Sequence, residues 1–259
     1  MKFLLDFYTP FMRYSPLVVC KSHYSFMKGI HSISELVEFA IEQNLKNLCL
    51  ADENGLYGAV EFSVHCQKVG ITPLIGVELT DGHHVVIVIA RNKEGYKCLS
   101  RIITDVQVNG VRLVDVLKPD NKTLFILCND PFLLSRWKKY ENIESIYLAP
   151  IVSDRKALQS LLTFVSHSPD ILRRFPAIPI LLLNIFSEHE VNLYKVMQAI
   201  VQNRTVSSLQ SEEIIVFKDL SVPFLPFKHI VSAQEVAKRC PFQFDFSKYY
   251  FPRFVLSET

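Results

Sequence analysis

The stretch Asn47-Leu48-Cys49-Leu50-Ala51-Asp52-Glu53-Asn54-Gly55-Leu56-Tyr57-Gly58-Ala59-Val60-Glu61-Phe62 decides the fold. Asn47 to Ala51 is a short apolar run that reads as a buried strand. Asp52-Glu53-Asn54-Gly55 follows as a strand end and turn, rich in residues that tolerate unusual backbone angles. Gly58 to Val69 then reads as a helix, with Gly70 placed at its C′ position. Strand, turn and helix in this order form one unit of a parallel sheet covered by helices.

The same unit recurs on both sides. Upstream, Leu17 to Cys20 reads as a strand. The helix after it opens on a capping box, Ser32 with Glu35 three residues on, and carries a stripe of Leu36, Val37, Ala40 and Ile41. Downstream, Pro73 to Leu79 is a strand, and Asp81-Gly82 turns the chain into the apolar run His84 to Ala90. Helices are expected around 94–103, 131–140, 154–165 and 188–203, with strands at 123–128, 145–149 and 178–183. Beyond residue 204, Pro223, Pro226, Pro241 and Pro252 break the pattern, with one more helix over 231–240. Six or seven such units fit an open doubly wound sheet or a closed barrel. Periodicity does not separate the two.

Bulk properties limit the function. Across 259 residues, 28 Lys plus Arg stand against 26 Asp plus Glu, a net charge of +2. That balance gives no electrostatic ground for strong nucleic-acid binding. No run reaches the roughly 18 apolar residues of a membrane span, and residues 1–19 lack a signal peptide's plan. The six cysteines form no CxxC pair and sit mostly in apolar runs, the usage of a cytoplasmic protein with reduced thiols. The eight histidines form neither HxH nor HExxH, and His83-His84 reads as a solvated turn. Trp137, beside Arg136, Lys138 and Lys139, reads as a solvated helix face or as an interaction patch.

In parallel α/β folds chemistry sits at the C-terminal strand ends. Here those ends carry sequence that resembles a known family. Ser22-His23-Tyr24-Ser25-Phe26-Met27-Lys28-Gly29 is similar to the opening motif HVHSxYSxLDG of the N-terminal PHP (polymerase and histidinol phosphatase) domain of bacterial DNA polymerase III alpha subunits. Ala51 to Phe62 resembles its TDHGNMYGAVEF. Pro73-Leu74-Ile75-Gly76-Val77-Glu78 resembles PIIGCE, and Asn92 to Arg101 resembles NxEGYKNLSR. Lys248-Tyr249-Tyr250-Phe251-Pro252-Arg253-Phe254 resembles the closing GKYHLPKF. The likeness is dense from about 17 to 105, thin but collinear to about 203, and returns at about 235–255.

The resemblance implies a distorted (β/α)7 TIM-like barrel with mostly parallel strands. It implies one domain over 1–259: an N-terminal extension at 1–16, a barrel body at 17–203, and an irregular segment at 204–259 leading toward a polymerase core. In active relatives the strand ends hold divalent metals for phosphoester hydrolysis. Carried over residue by residue, most ligand positions fail. The paired histidines fall on Val19 and Lys21, the acidic ligand before the glycine on Lys28, and the histidine beside Asp52 on Glu53. The closing Asp-x-His falls on Ile185 and Ser187; a strand-end cysteine falls near Asp130 and a histidine near Ile151. Glu78 matches a ligand position.

Two lysines in a metal cleft repel a divalent ion. At about 4 Å and an effective dielectric of 20 that repulsion is roughly 8 kcal/mol, twice the unit-charge value. The expectation is therefore a non-catalytic module without cofactor, in which Lys21 either forms an ion pair with Glu78 or Asp52 or points to solvent. The alternatives are a phosphoesterase or 3′–5′ exonuclease with Mg, Mn or Zn on Asp52, Glu53, Glu78 and Asp130, or a stand-alone relic recruited for binding. The implied partners are a polymerase core in cis, a proofreading exonuclease or other replisome proteins.

Overall fold

The computed structural model describes residues 15–209 except 142 and 144, and then 216–217, 222–223, 225–245 and 247. The motif at 248–254 and most of the expected N-terminal extension lie outside the described residues.

Among the described residues seven strands form one sheet: β1 (Leu17–Cys20), β2 (Asn47–Glu53), β3 (Thr72–Thr80), β4 (Val85–Ala90), β5 (Leu124–Cys128), β6 (Ile146–Leu148) and β7 (Ile180–Leu183). Their order is β6-β5-β4-β3-β2-β1-β7. β4 runs antiparallel to both neighbours, and the other ladders are parallel. The reversal follows from the turn. Asp81 Oδ1 accepts from the amides of His83 and His84, and Gly82 takes φ +85, so the chain folds straight back from β3.

The two outer strands are brought together by the parallel bridges Leu148↔Ala177 and Ile151↔Ile180. The sheet thus curls round on itself, the distorted seven-stranded barrel that the resemblance implies. Its interior is filled by alternate residues of every strand, which include Leu17, Val19, Cys49, Ala51, Leu74, Ile87, Phe125, Leu127, Tyr147 and Ile180. The opposite parity packs outward against helices.

Among the described residues the helices are α1 (Ile33–Glu42), α2 (Ala59–Lys68), α3 (Lys93–Gln107), α4 (Leu113–Val116), α5 (Pro131–Trp137), α6 (Arg155–Ser166), α7 (Pro169–Arg174), α8 (Val191–Val201) and α9 (Ala233–Lys238). The Ser32–Glu35 capping box forms as the sequence predicts, and Gly70 takes φ +74 at the end of α2. Ile41 departs from the expected stripe. It is exposed, and Ile33 and Phe39 bury instead. α4 and α7 have too few residues to show a helical period. Trp137 is neither solvated nor a patch: it is fully buried in the outer core, and Lys138 pairs outward with Asp170 at 2.8 Å.

Part of the irregular segment closes the barrel floor. The backbone of 229–231 pairs with Ala177, and the Ala233 amide donates to Ser15 O just below β1. α9 and Cys240 pack into the interior cluster, and the Arg239 guanidinium lies 4.7 Å from the Phe125 ring centre. The described cysteines are all free thiols. Burial pushes the thiols of Cys20, Cys49, Cys66, Cys128 and Cys240 up, which makes them inert.

Candidate functional site

At the open end of the barrel the inner parity of β1, β2 and β3 continues past Val19, Ala51 and Gly76. The next inward positions are Lys21, Glu53 and Glu78. Glu53 and Glu78 are register partners on neighbouring parallel strands. Two carboxylates so placed repel: at roughly 5 Å and an effective dielectric of 20 the cost is about 3 kcal/mol. Each is met by its own ammonium. Lys21 Nζ lies 2.9 Å from Glu78 Oε2, with both side chains mostly buried. Lys28 Nζ lies 2.6 Å from Glu53 Oε2, in a more open position. Of the two fates open to Lys21, the structure shows the ion pair, with Glu78 as its partner.

Both lysines come from the segment between β1 and α1, and its local geometry aims them. The amides of Lys28 and Gly29 donate to Ser25 O at 2.9 Å. Met27 takes φ 60, a region that costs a side-chain-bearing residue energy. Gly29 is required, because a Cβ there would lie 2.0 Å from Ser22 O. Tyr194 of α8 stands beside this group. Burial raises its hydroxyl's pKa, Lys28 pulls it down and Glu78 pushes it up.

Asp52 has the opposite orientation. One residue before Glu53, it faces outward and is 1% exposed. Its carboxylate accepts from Ser22 N at 2.8 Å, from Ser22 Oγ at 2.9 and 3.0 Å, and from Ser25 Oγ at 2.6 Å. Ser25 Oγ in turn accepts from Glu53 N at 3.0 Å. Burial lifts the Asp52 carboxyl above the usual range, against the pull of the Ser25 and Ser22 hydrogen bonds and of His23. Asp52 fastens the loop from behind and is not part of the mouth.

The remaining predicted positions scatter. Val19 is buried inside the barrel below Lys21. Ile185 is fully buried and bridges to Val216. Ser187 caps a short turn in a reciprocal pair with Glu190. Asp130 caps α5 through Leu133 N at 3.0 Å, and its other oxygen lies 2.8 Å from His84 Nδ1. His84 is also stacked on Phe132, so it is a partnered side chain and not the solvated turn histidine expected from its neighbours.

The donor set does not fit a divalent ion. Val19 and Ile185 have no lone pair to give, Lys21 and Lys28 bring positive charge, and Asp52 faces the other side of β2. Glu53 and Glu78 are both taken by ammonium groups. Among the described residues no three His, Cys, Asp or Glu side chains form a group able to hold a metal.

Sequence reasoning missed a second cluster, packed on the helical side beside the segment between β1 and α1. His31, 5% exposed, stacks on Phe186 with ring centres 3.6 Å apart, and its Nε2 lies 3.2 Å from Glu190 Oε2. Phe186 stacks in turn on Phe39. The signal for it is the reciprocal Ser187–Glu190 spacing, a capping pattern that brings an acid back over the strand end.

The PHP domain family matches residues 18–160, more than half of the chain. An error-prone DNA polymerase from Corynebacterium diphtheriae is 36% identical over 99 residues, covering 38% of this chain and 10% of that protein. A DNA polymerase III subunit alpha from Ureaplasma parvum is 33% identical over 75 residues, covering 29% and 8%. The match thus spans about a tenth of the length of these relatives. A solved structure from Bifidobacterium adolescentis, described as a metal-dependent phosphoesterase, is 11% identical with a TM-score of 0.32, over 88% of this chain and 96% of that one. No helix among the described residues is long and apolar enough to cross a membrane. The chain belongs to the PHP domain family and resembles the N-terminal part of DNA polymerase III alpha subunits.

Proposed function

We propose that this chain is a metal-free, non-catalytic PHP module that acts as a structural and interaction element in DNA replication. The observation that carries this reading is the pair of contacts Lys21–Glu78 and Lys28–Glu53, which put fixed positive charge where hydrolysis needs a metal-bound water. A phosphoesterase needs a nucleophile-generating ion and a group to take up the proton. Here both inward carboxylates are committed to ammonium groups, and Asp52 is enclosed by serine donors. The module's partners on this reading are a polymerase core in cis, a proofreading exonuclease or other replisome proteins, in the cytoplasm. One domain spans 1–259 in this view, with the irregular segment 204–259 leading toward a polymerase core.

The test is hydrolysis of p-nitrophenyl phosphate and of single-stranded DNA ends in millimolar Mn2+. The expected result is a rate equal to buffer. Saturable hydrolysis that chelator abolishes and Glu78→Gln removes would favour the active phosphoesterase instead.

A further inference from the structure

The segment that carries both lysines is held from two sides. From behind, Asp52 binds Ser22 and Ser25. From the front, Lys21 reaches β3 and Lys28 reaches β2. Between these anchors Met27 sits at φ 60 and Phe26 is 86% exposed. Such a turn offers little apolar burial of its own, so it persists only where its surroundings over-determine it. Glu53 and Glu78, opposite each other in the ladder, also need a counter-charge on this side.

We propose that Lys21 and Lys28 are the resident cations of the barrel mouth: they perform the neutralising and tethering that a divalent ion between Glu53 and Glu78 would otherwise perform. The integrity of the mouth is thereby independent of divalent metal. The two ammonium groups arrive on one segment, one per carboxylate, so charge closes to zero without any outside ion. Removing them exposes two adjacent carboxylates, the arrangement that takes up a hard divalent cation. The inference rests on the non-metal reading above, but its readout is melting rather than hydrolysis, so the two fail separately.

The experiment is thermal unfolding of the full chain in EDTA and in millimolar MnCl2. The wild type is expected to melt at the same temperature in both. The variant Lys21→Met/Lys28→Met is expected to melt about 5–10 °C lower in EDTA and to regain most of that loss in Mn2+. A wild type whose melting falls with chelator overturns the proposal. So does a double variant that melts like the wild type, or one whose loss Mn2+ leaves unchanged. If the double variant does not fold, Lys28→Met alone, at the more exposed pair, is compared with Lys28→Met/Glu53→Gln. Recovery in the latter supports the charge role, and an equal or larger loss refutes it.

Discussion

Asp52 and Glu53 are consecutive carboxylates on one strand, and they occupy two different regions of the molecule. Asp52 faces the helical layer, where two buried serines and a backbone amide surround it. Glu53 faces the barrel interior, where a lysine neutralises it. The difference is the two-residue alternation of a strand. It separates what the family resemblance leaves side by side. The outer region keeps the loop-forming residues Ser22, Ser25, Asp52 and Gly29. The inner region holds two carboxylates, each paired with a lysine. Scaffold and chemistry are thus separable within a few residues, because they lie on opposite faces of the same strands.

The comparison predicts that the outer region carries more stability than the inner one. Asp52→Ala strips the acceptor from three buried donors and is expected to cost about 3–5 kcal/mol. Urea unfolding measures it, and a loss below that of Lys21→Met would invert the ranking. Lys21→Met leaves Glu78 charged and mostly buried, with an expected cost of about 2–4 kcal/mol. Lys21→Met/Glu78→Leu is expected to recover at least half of it, as a double-mutant cycle would show. Lys28→Met acts on the more open pair and is expected to cost about 1 kcal/mol or less.

Acid titration sharpens the same contrast. The Asp52 carboxyl is raised above its unfolded value, so its folded site binds the proton more tightly. The proton-linked part of its contribution is fully present below the unfolded pKa of about 4 and is lost as pH rises through the raised folded value, while its serine hydrogen bonds remain. The stability gap between wild type and Asp52→Asn is therefore expected to shrink as pH climbs above about 4. A gap that widens over that range would remove burial as the dominant influence on Asp52. The smallest effect is expected at the periphery. His84→Ala removes one partner of Asp130 but leaves its cap on α5, at a cost of about 0.2–0.5 kcal/mol.

Much of this fold is legible in the sequence because local signals and burial agree. The Ser32 cap, Gly70, the Asp81-Gly82 turn and the apolar strands each point to the element that forms. Barrel closure is not legible. It depends on the isolated bridges from Leu148 and Ile151 to the approach and start of β7, which carry no period. In the site, Lys21, Glu53 and Glu78 are legible through their aligned motifs, and their shared strand parity unites them. Asp52 reads as part of the same group until its facing is known. His84 and Asp130 are 46 residues apart and meet because β4 runs backwards between β3 and β5. Trp137 is hidden by its charged neighbours, since a helix face changes within one residue.

The most direct measurement is anomalous diffraction from crystals of the chain soaked in MnCl2. The expected result is no manganese peak between Glu53 and Glu78, with Lys21 Nζ still on Glu78 and Lys28 Nζ still on Glu53. A manganese peak bridging the two carboxylates, with both lysines swung into solvent, would contradict it.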